Sequence, residues 1–358
     1  MQDLLTESVC IHQSIGNMTL KSSFQLVIGG VGMCYKDEIQ KKNADKLQKK
    51  FEESNVPLFI RDYFYNLNSD AGKLNYYSII TSMLNWMIKH ERITCESISE
   101  ITESSINSLS KTDIIVYLET LITNGISPST INTKKNVLSS FWSHLVDEGV
   151  CNKNIIHSIP KSKFKIKKKN NAKVPLPEDM MEMIEKIKRK KDDFVRERNL
   201  VIVRVLKGTG LRESELAGLD MKDLHLEDNK PYITVMGKGV YYTQDAEPVL
   251  VSKDAKLALE EWLEIRNKVE NIIDGKAVFI NKNGKRLSED NIQAIFRSYS
   301  GGKITPHMMR HLYATVLYQE SGHDAAFVQE QLRHSDVNTT LGTYAAGDSR
   351  SYEVLENM

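Results

Sequence analysis

The chain has 358 residues, 41% of them hydrophobic and 27% charged, with a formal net charge of +1. The length suggests two domains with an extra N-terminal module, and the composition is that of an ordinary globular protein with sizeable cores. No apolar run approaches the roughly 18–20 residues needed to span a bilayer. The four cysteines (Cys10, Cys34, Cys95, Cys151) are scattered without a CxxC pair, which argues against a disulfide framework or zinc site and for free thiols in a reducing cytoplasm.

Residues 1–54 form an N-terminal extension that reads as an accessory DNA-binding or protein-contact module, or as a helical lead-in. Phe24–Ile28 is a candidate strand ended by Gly29-Gly30, and Phe24 to Cys34 is too short and glycine-interrupted, without a basic n-region, for a signal peptide. Leu47 and Phe51, four apart in the polar stretch Ile39–Glu53, predict a short helix.

Residues 55–160 predict a compact bundle of about four helices. Tyr76, Ile79, Ile80, Met83, Leu84, Met87 and Ile88 fall on one apolar stripe at three- and four-residue steps. Ile114, Ile115, Tyr117, Leu118 and Leu121 form a second, with Ser110 or Thr112 available as its cap. The third helix opens at Ser127-Pro128, a capping residue followed by proline where the missing donor is harmless, and stops at Gly149. Lys134 and Lys135 lie on its polar side, where they can position the protein on phosphates.

The stretch 161–174 concentrates the positive charge: Lys161, Lys163, Lys165, Lys167, Lys168, Lys169 and Lys173, with no acidic residue between Pro160 and Pro175. Such a run is either a solvated linker or a strap along phosphates, whose binding would be salt-sensitive through counterion release.

Residues 175–358 predict a second domain, mostly helical with one small antiparallel sheet. Leu200–Leu206 is an apolar helix ending at Gly208-Thr209-Gly210. Tyr232–Met236 and Ala246–Val251 read as strands around Gly237-Lys238-Gly239, and Val278–Ile280 with Asn283-Gly284 as a third strand and turn. Thr305-Pro306 starts a helix running to about Glu320.

Four segments of this domain carry candidate chemistry. In Thr209–Glu215, Arg212 sits at a glycine-flanked turn into a helix, able to offer its planar fork to a phosphate, with Glu215 one turn on to hold it. Lys238 lies in the hairpin between two glycines. His307 and Arg310 share a helix face in His307-Met308-Met309-Arg310-His311, and Leu332–Thr340 contains His334, with Tyr344 ten residues later. Each segment alone reads first as ordinary structure: a helix-start salt bridge, a turn lysine, a capping histidine, a packed tyrosine.

Together, the order Arg, Lys, His-x-x-Arg, His, Tyr in these contexts closely resembles the tyrosine recombinase/integrase family, whose signatures read TGLRxSE, GKG on a hairpin, HxxRH, and LGHxxxxTT followed by a tyrosine. The resemblance covers the second domain and, more loosely, the helical region from about residue 57. It implies a helical core-binding domain and a catalytic domain forming a C-shaped clamp on double-stranded DNA. It implies that Tyr344 attacks phosphorus and that Arg212 and Arg310 grip the scissile phosphate. Lys238 would then protonate the leaving oxygen, His307 and His334 would assist, and Glu215 would orient Arg212. Neither metal nor nucleotide cofactor is expected, because the phosphotyrosine conserves the bond energy. Self-association to a tetramer on two DNA sites, accessory proteins and a role in moving a mobile element are further expectations, and Ser351–Met358 is a segment that could contact a neighbouring subunit.

Two departures stand out. Arg333 occupies the position where the family usually has glycine, so either the backbone is relaxed there or Arg333 adds a phosphate contact. The hairpin after Gly239 lacks the second basic residue that many members carry. Tyr313 and Tyr318 read as packed residues of their helix. A type IB topoisomerase shares much of this residue set, and a non-catalytic DNA-binding regulator would keep the strap and helices. A metal-dependent nuclease would need a carboxylate cluster that the sequence does not offer.

Overall fold

The computed structural model describes residues 35–67, 69–160, 164, 174–236 and 246–333. The predicted strand Phe24–Ile28, the seven lysines of the basic stretch, Lys238, His334, Tyr344, Tyr352 and the segment Ser351–Met358 lie outside the described residues.

The first part is a helical bundle. Helix α1 (Tyr35–Ser54) starts four residues before the predicted Ile39 and turns Leu47 and Phe51 inward. Helix α2 (Leu58–Tyr65) follows Pro57, and α3 (Asp70–Lys89) begins where Ser69 accepts the Gly72 N–H. Helix α3 buries Tyr77, Ile79, Ile80, Met83, Leu84 and Met87. After a short α4 (Glu103–Asn107), α5 (Lys111–Thr123) is capped by Ser110, not Thr112. Ser110 Oγ accepts the Asp113 N–H, and the Asp113 carboxylate accepts the Ser110 N–H at 2.9 Å, a reciprocal capping box. Helix α6 (Pro128–Asp147) starts as predicted, with Ser127 Oγ accepting the Thr130 N–H, and buries Leu138, Phe141, Trp142 and Leu145. Asn154 then ties the departing chain to α6, its amide donating to Ser139 O (2.8 Å) and Ser143 Oγ (2.9 Å). Phe164, flanked in sequence by Lys163 and Lys165, joins this same core.

A second core is organised around α8. Helices α7 (Pro177–Lys188), α8 (Asp193–Thr209) and α9 (Glu213–Gly218) precede strands β1 (Leu224–His225), β2 (Tyr232–Met236) and β3 (Ala246–Leu250); α10 (Lys253–Arg266), α11 (Glu289–Ser300), α12 (Pro306–Glu320) and α13 (Ala325–Leu332) follow. Helix α8 is buried over most of its length, including Val201–Val203 and Val205–Thr209, because α10 and α12 both pack on it. Gly208 permits the α10 approach, since a Cβ there would lie 2.2 Å from Ser252 Oγ and 2.7 Å from Ala255 Cβ.

The sheet is antiparallel in the order β1-β2-β3, with Tyr232 opposite Leu250 and Met236 opposite Ala246. Pro248 is tolerated because β3 is an edge strand and needs no donor on its outer side. The predicted third strand at Val278–Ile280 is a correction. That segment is fully buried but pairs only through isolated bridges, Asp220 to Ala277 and Ile280 to Arg286, and the third strand is the two-residue β1. The predicted turn is present, with Gly284 at φ +70°.

Helix α1 touches both cores. Its Tyr35 ring lies 4.7 Å from the Arg286 guanidinium and packs beside Gly218, while Leu47 and Phe51 belong to the bundle. Arg286 is in turn held by Asp220, by Asp274 (2.9 Å) and by the carbonyls of Ala217 and Leu219. Among the described residues, no helix is long and apolar enough to cross a membrane.

Candidate active site

The site forms where α8 ends, α9 begins, and α12 and α13 cross them. Gly210 closes α8 at φ +62°, and a Cβ there would sit 2.3 Å from the Tyr313 ring of α12, so both conformation and space require glycine. The chain then re-enters helix at Arg212. Glu215, three residues on, accepts the Arg212 N–H at 2.8 Å through Oε2 and the Arg212 guanidinium at 2.6 Å through Oε1. One carboxylate thus caps α9 and fixes the direction of the arginine. The Arg212 side chain remains 29% exposed.

Arg310 reaches the same place from α12. It is 1% exposed, donates to Gly210 O at 2.7 Å and to Leu332 O, and lies 3.9 Å from Glu215 Oε2. A buried guanidinium held by backbone carbonyls keeps its charge without being neutralised, which suits it to binding an anion. The fold thus brings Arg212 and Arg310 to the two oxygens of one carboxylate, that of Glu215.

His307 opens α12 one turn before Arg310, where Thr305 Oγ1 accepts the Met308 N–H. Its ring meets His311 edge-on, with centroids 4.5 Å apart. Crowding by surrounding atoms, then the charges of Arg310 and Arg212, hold the His307 imidazole below its usual range. His311 is pushed further, to about 4, by burial and then by His307 and Arg310. Both rings are therefore neutral near pH 7 and able to accept a proton or a hydrogen bond. Tyr313 is packed under Gly210, and burial pushes its hydroxyl up to about 12, the opposite of what a nucleophile needs.

At Arg333 the backbone is not relaxed. The residue follows α13 at φ +53°, so the left-handed backbone that glycine usually supplies is kept. Its side chain is 6% exposed and turns back onto Glu215, with Nη2 donating to Oε2 at 2.6 Å. This contact joins positions 118 residues apart, and the signal for it in the sequence is only the unusual arginine itself. The remaining predicted residues are placed by connectivity alone: Lys238 lies in the segment joining β2 to β3, and His334 follows Arg333. Lys134 and Lys135 are half-buried on α6. Among the described residues, no three His, Cys, Asp or Glu side chains group as metal ligands would.

Beside His307, a cleft of about 330 Å³ is lined by Glu213, Gln293, Phe296, Arg297 and Thr305. Gln293 donates to Glu213 at 3.0 Å across it, linking α11 to α9.

This architecture matches known proteins in both halves. The model of the phage integrase family matches residues 176–350, and that of the phage integrase N-terminal SAM-like domain matches residues 62–150. The chain belongs to the phage integrase family. Among its curated relatives, the tyrosine recombinase XerD of Oceanobacillus iheyensis is 31% identical over 297 residues, covering 78% of this chain and 91% of the relative. Tyrosine recombinase XerC of Thermodesulfovibrio yellowstonii is 32% identical over 233 residues, covering 63% and 73%. Among solved structures, the Tn1549 transposon integrase (residues 82–397) in complex with circular intermediate DNA shares the fold, with a TM-score of 0.58 at 21% identity, covering 88% of this chain and 98% of that one. Within this tyrosine recombinase, the convergence of Arg212, Arg310 and Arg333 on Glu215 makes the end of α8 strongly cationic, since three guanidinium groups surround one carboxylate.

Proposed function

We propose that this chain is a site-specific DNA recombinase that cuts and rejoins double-stranded DNA through Tyr344. The observation that carries the reading is the pair Arg212 and Arg310, fixed around Glu215 with His307 one turn away. Two pre-oriented guanidinium groups stabilise the charge that grows on the non-bridging oxygens as phosphorus becomes five-coordinate. Tyr344 attacks phosphorus, and the 5′-oxygen leaves with a proton from Lys238, giving a 3′-phosphotyrosyl link and a free 5′-hydroxyl. His307 moves the proton at the nucleophile, and His334 hydrogen-bonds the phosphate. A 5′-hydroxyl of the partner duplex then reverses the step, so no external energy source is consumed.

In this reading residues 55–160 are the core-binding unit, 161–174 a basic linker and 175–358 the catalytic unit, and the protein acts in the cytoplasm. Lys134 and Lys135 of α6, with Lys161, Lys163, Lys165, Lys167, Lys168, Lys169 and Lys173, contact phosphates, and four copies assemble on two DNA sites, with accessory proteins as further partners. Movement of a mobile element is the biological role we assign. The likeness of fold to a transposon integrase supports it.

The test is covalent capture. Wild-type protein is incubated in EDTA with nicked duplexes carrying a randomised sequence, and denaturation-resistant protein–DNA adducts are recovered and sequenced. The recombinase reading predicts adducts on a defined sequence. DNA retention without any adduct would replace it with a non-catalytic regulator, and adducts without sequence preference would point to a DNA-relaxing enzyme.

A further inference from the structure

The carboxylate of Glu215 has a limited number of acceptor positions, and their occupancy is unusual. Oε1 takes the Arg212 guanidinium, while Oε2 takes both the Arg212 N–H at 2.8 Å and Arg333 Nη2 at 2.6 Å. Arg310 Nη1 lies 3.9 Å from that second oxygen, beyond hydrogen-bond reach, and donates instead to Gly210 O. Two donors on one oxygen fill its in-plane lone pairs. Arg333 therefore occupies the position that Arg310 would otherwise take.

We propose that Arg333 is a positioning residue for the cleavage reaction: by filling the second oxygen of Glu215, it keeps Arg310 aimed at the scissile phosphate. The proposal rests on the recombinase reading above. The backbone points the same way. Position 333 has the left-handed conformation that glycine adopts most readily, yet it carries an arginine whose side chain is almost wholly enclosed. A residue needed only to end α13 would gain by being glycine, so the side chain must serve something beyond the turn. Its Nε, which has no hydrogen bond among the described residues, lies 3.8 Å from the Glu247 carboxylate of β3. Arg333 thus spans from the Arg212 helix to the strand that follows the Lys238 segment, immediately before His334.

Without Arg333, the freed oxygen lies close enough to draw Arg310 from Gly210 O onto Glu215. That shift moves the guanidinium by an ångström or so and leaves the remainder of the DNA-binding surface untouched. A displacement of that size costs about 10- to 100-fold in rate.

The experiment uses the full chain and a nicked duplex that the wild-type protein captures from the randomised library, comparing Arg333→Gly, Arg333→Lys, Glu215→Gln and the Glu215→Gln/Arg333→Gly double variant. Single-turnover adduct formation at saturating protein is measured beside the Kd for the same duplex. Arg333→Gly is expected to lose about 10- to 100-fold in rate with Kd unchanged, and Arg333→Lys, which keeps a cationic donor, to recover part of that loss. In the Glu215→Gln background, Arg333→Gly should change the rate by less than about threefold, because the two act through one contact. A wild-type rate for Arg333→Gly would reduce Arg333 to a helix terminator and overturn the proposal. Losses that multiply in the double variant would overturn it too, by showing that Arg333 acts apart from Glu215. Failure of wild type to form an adduct on any library member would instead strike the recombinase reading, and this proposal with it.

Discussion

The bundle built on α3, α5 and α6 and the unit built on α8 bury different chemistry. Among the described residues, the bundle encloses aromatic and aliphatic side chains with one imidazole, that of His144. The second unit encloses Arg198, Lys207, Asp220, Arg266 and Arg310 along with its apolar core. Removing a charge from water is unfavourable by several kcal/mol unless fixed partners replace the solvent. For two of these the partners are backbone carbonyls: Arg266 donates to Ala277 O and Gly275 O, Arg310 to Gly210 O and Leu332 O. Arg198 instead donates to the Asn199 side-chain oxygen, and Asp220 pairs with Arg286. The difference separates two tasks. The core of the bundle is built on apolar burial, whereas the second unit also encloses charged groups and holds one of them, Arg310, in a fixed direction beside Glu215.

That contrast can be broken from either side. Trp142→Ala empties a fully buried site of the bundle and should lower stability by about 3–5 kcal/mol in denaturant melts, while the folded fraction cleaves bound DNA at an unchanged rate. Arg310→Ala should do the reverse: adduct formation falls by about 10²- to 10³-fold, equivalent to roughly 2.7–4 kcal/mol, with DNA still bound. If Trp142→Ala slowed cleavage as strongly as Arg310→Ala does, the division of tasks would be wrong.

His311 sharpens the comparison through pH. Its folded-state value of about 4 lies below that of an unfolded-chain histidine, near 6.5, so the unfolded chain takes up the proton first. Stability from this group is complete above pH 6.5 and is lost as the pH falls toward 4. Wild type should lose on the order of 2 kcal/mol more than His311→Gln across that window in parallel urea melts; equal losses would show that the ring is not held neutral by its surroundings. The smallest effect belongs to Asp254→Asn. Its bond to Arg204 is short, at 2.7 Å, but both side chains are substantially exposed, and the expected change is below about 1 kcal/mol and shrinks further with added salt.

Much of the fold was legible because local chemistry and tertiary packing agree. Ser110, Ser127 and Thr305 cap the helices that their spacing from the apolar stripes predicts, and the hairpin strands fall where β-branched and aromatic residues alternate between turns. The third strand was misplaced because a short buried apolar run such as Val278–Ile280 looks the same whether it pairs in a ladder or crosses a core. The two residues of β1 are too few to leave a pattern. In the site, the Arg212–Glu215 pair could be read from its three-residue spacing. Arg333 could be flagged only as a departure, since its partner is 118 residues away and its direction depends on where α13 meets α9. The seat of Tyr35 on Arg286, which links α1 to the second core, left no sequence signal for the same reason.

The central claim is that Tyr344 is the nucleophile in a site assembled by Arg212, Arg310 and Glu215. The most direct measurement is to trap wild type and Tyr344→Phe on the same captured nicked duplex, digest the adduct and identify the DNA-linked peptide by mass spectrometry. The account predicts a wild-type adduct through the peptide containing Tyr344, and none in the Phe variant although its DNA affinity is unchanged. An equal adduct yield from Tyr344→Phe, or a link mapped to another tyrosine such as Tyr352, would contradict it.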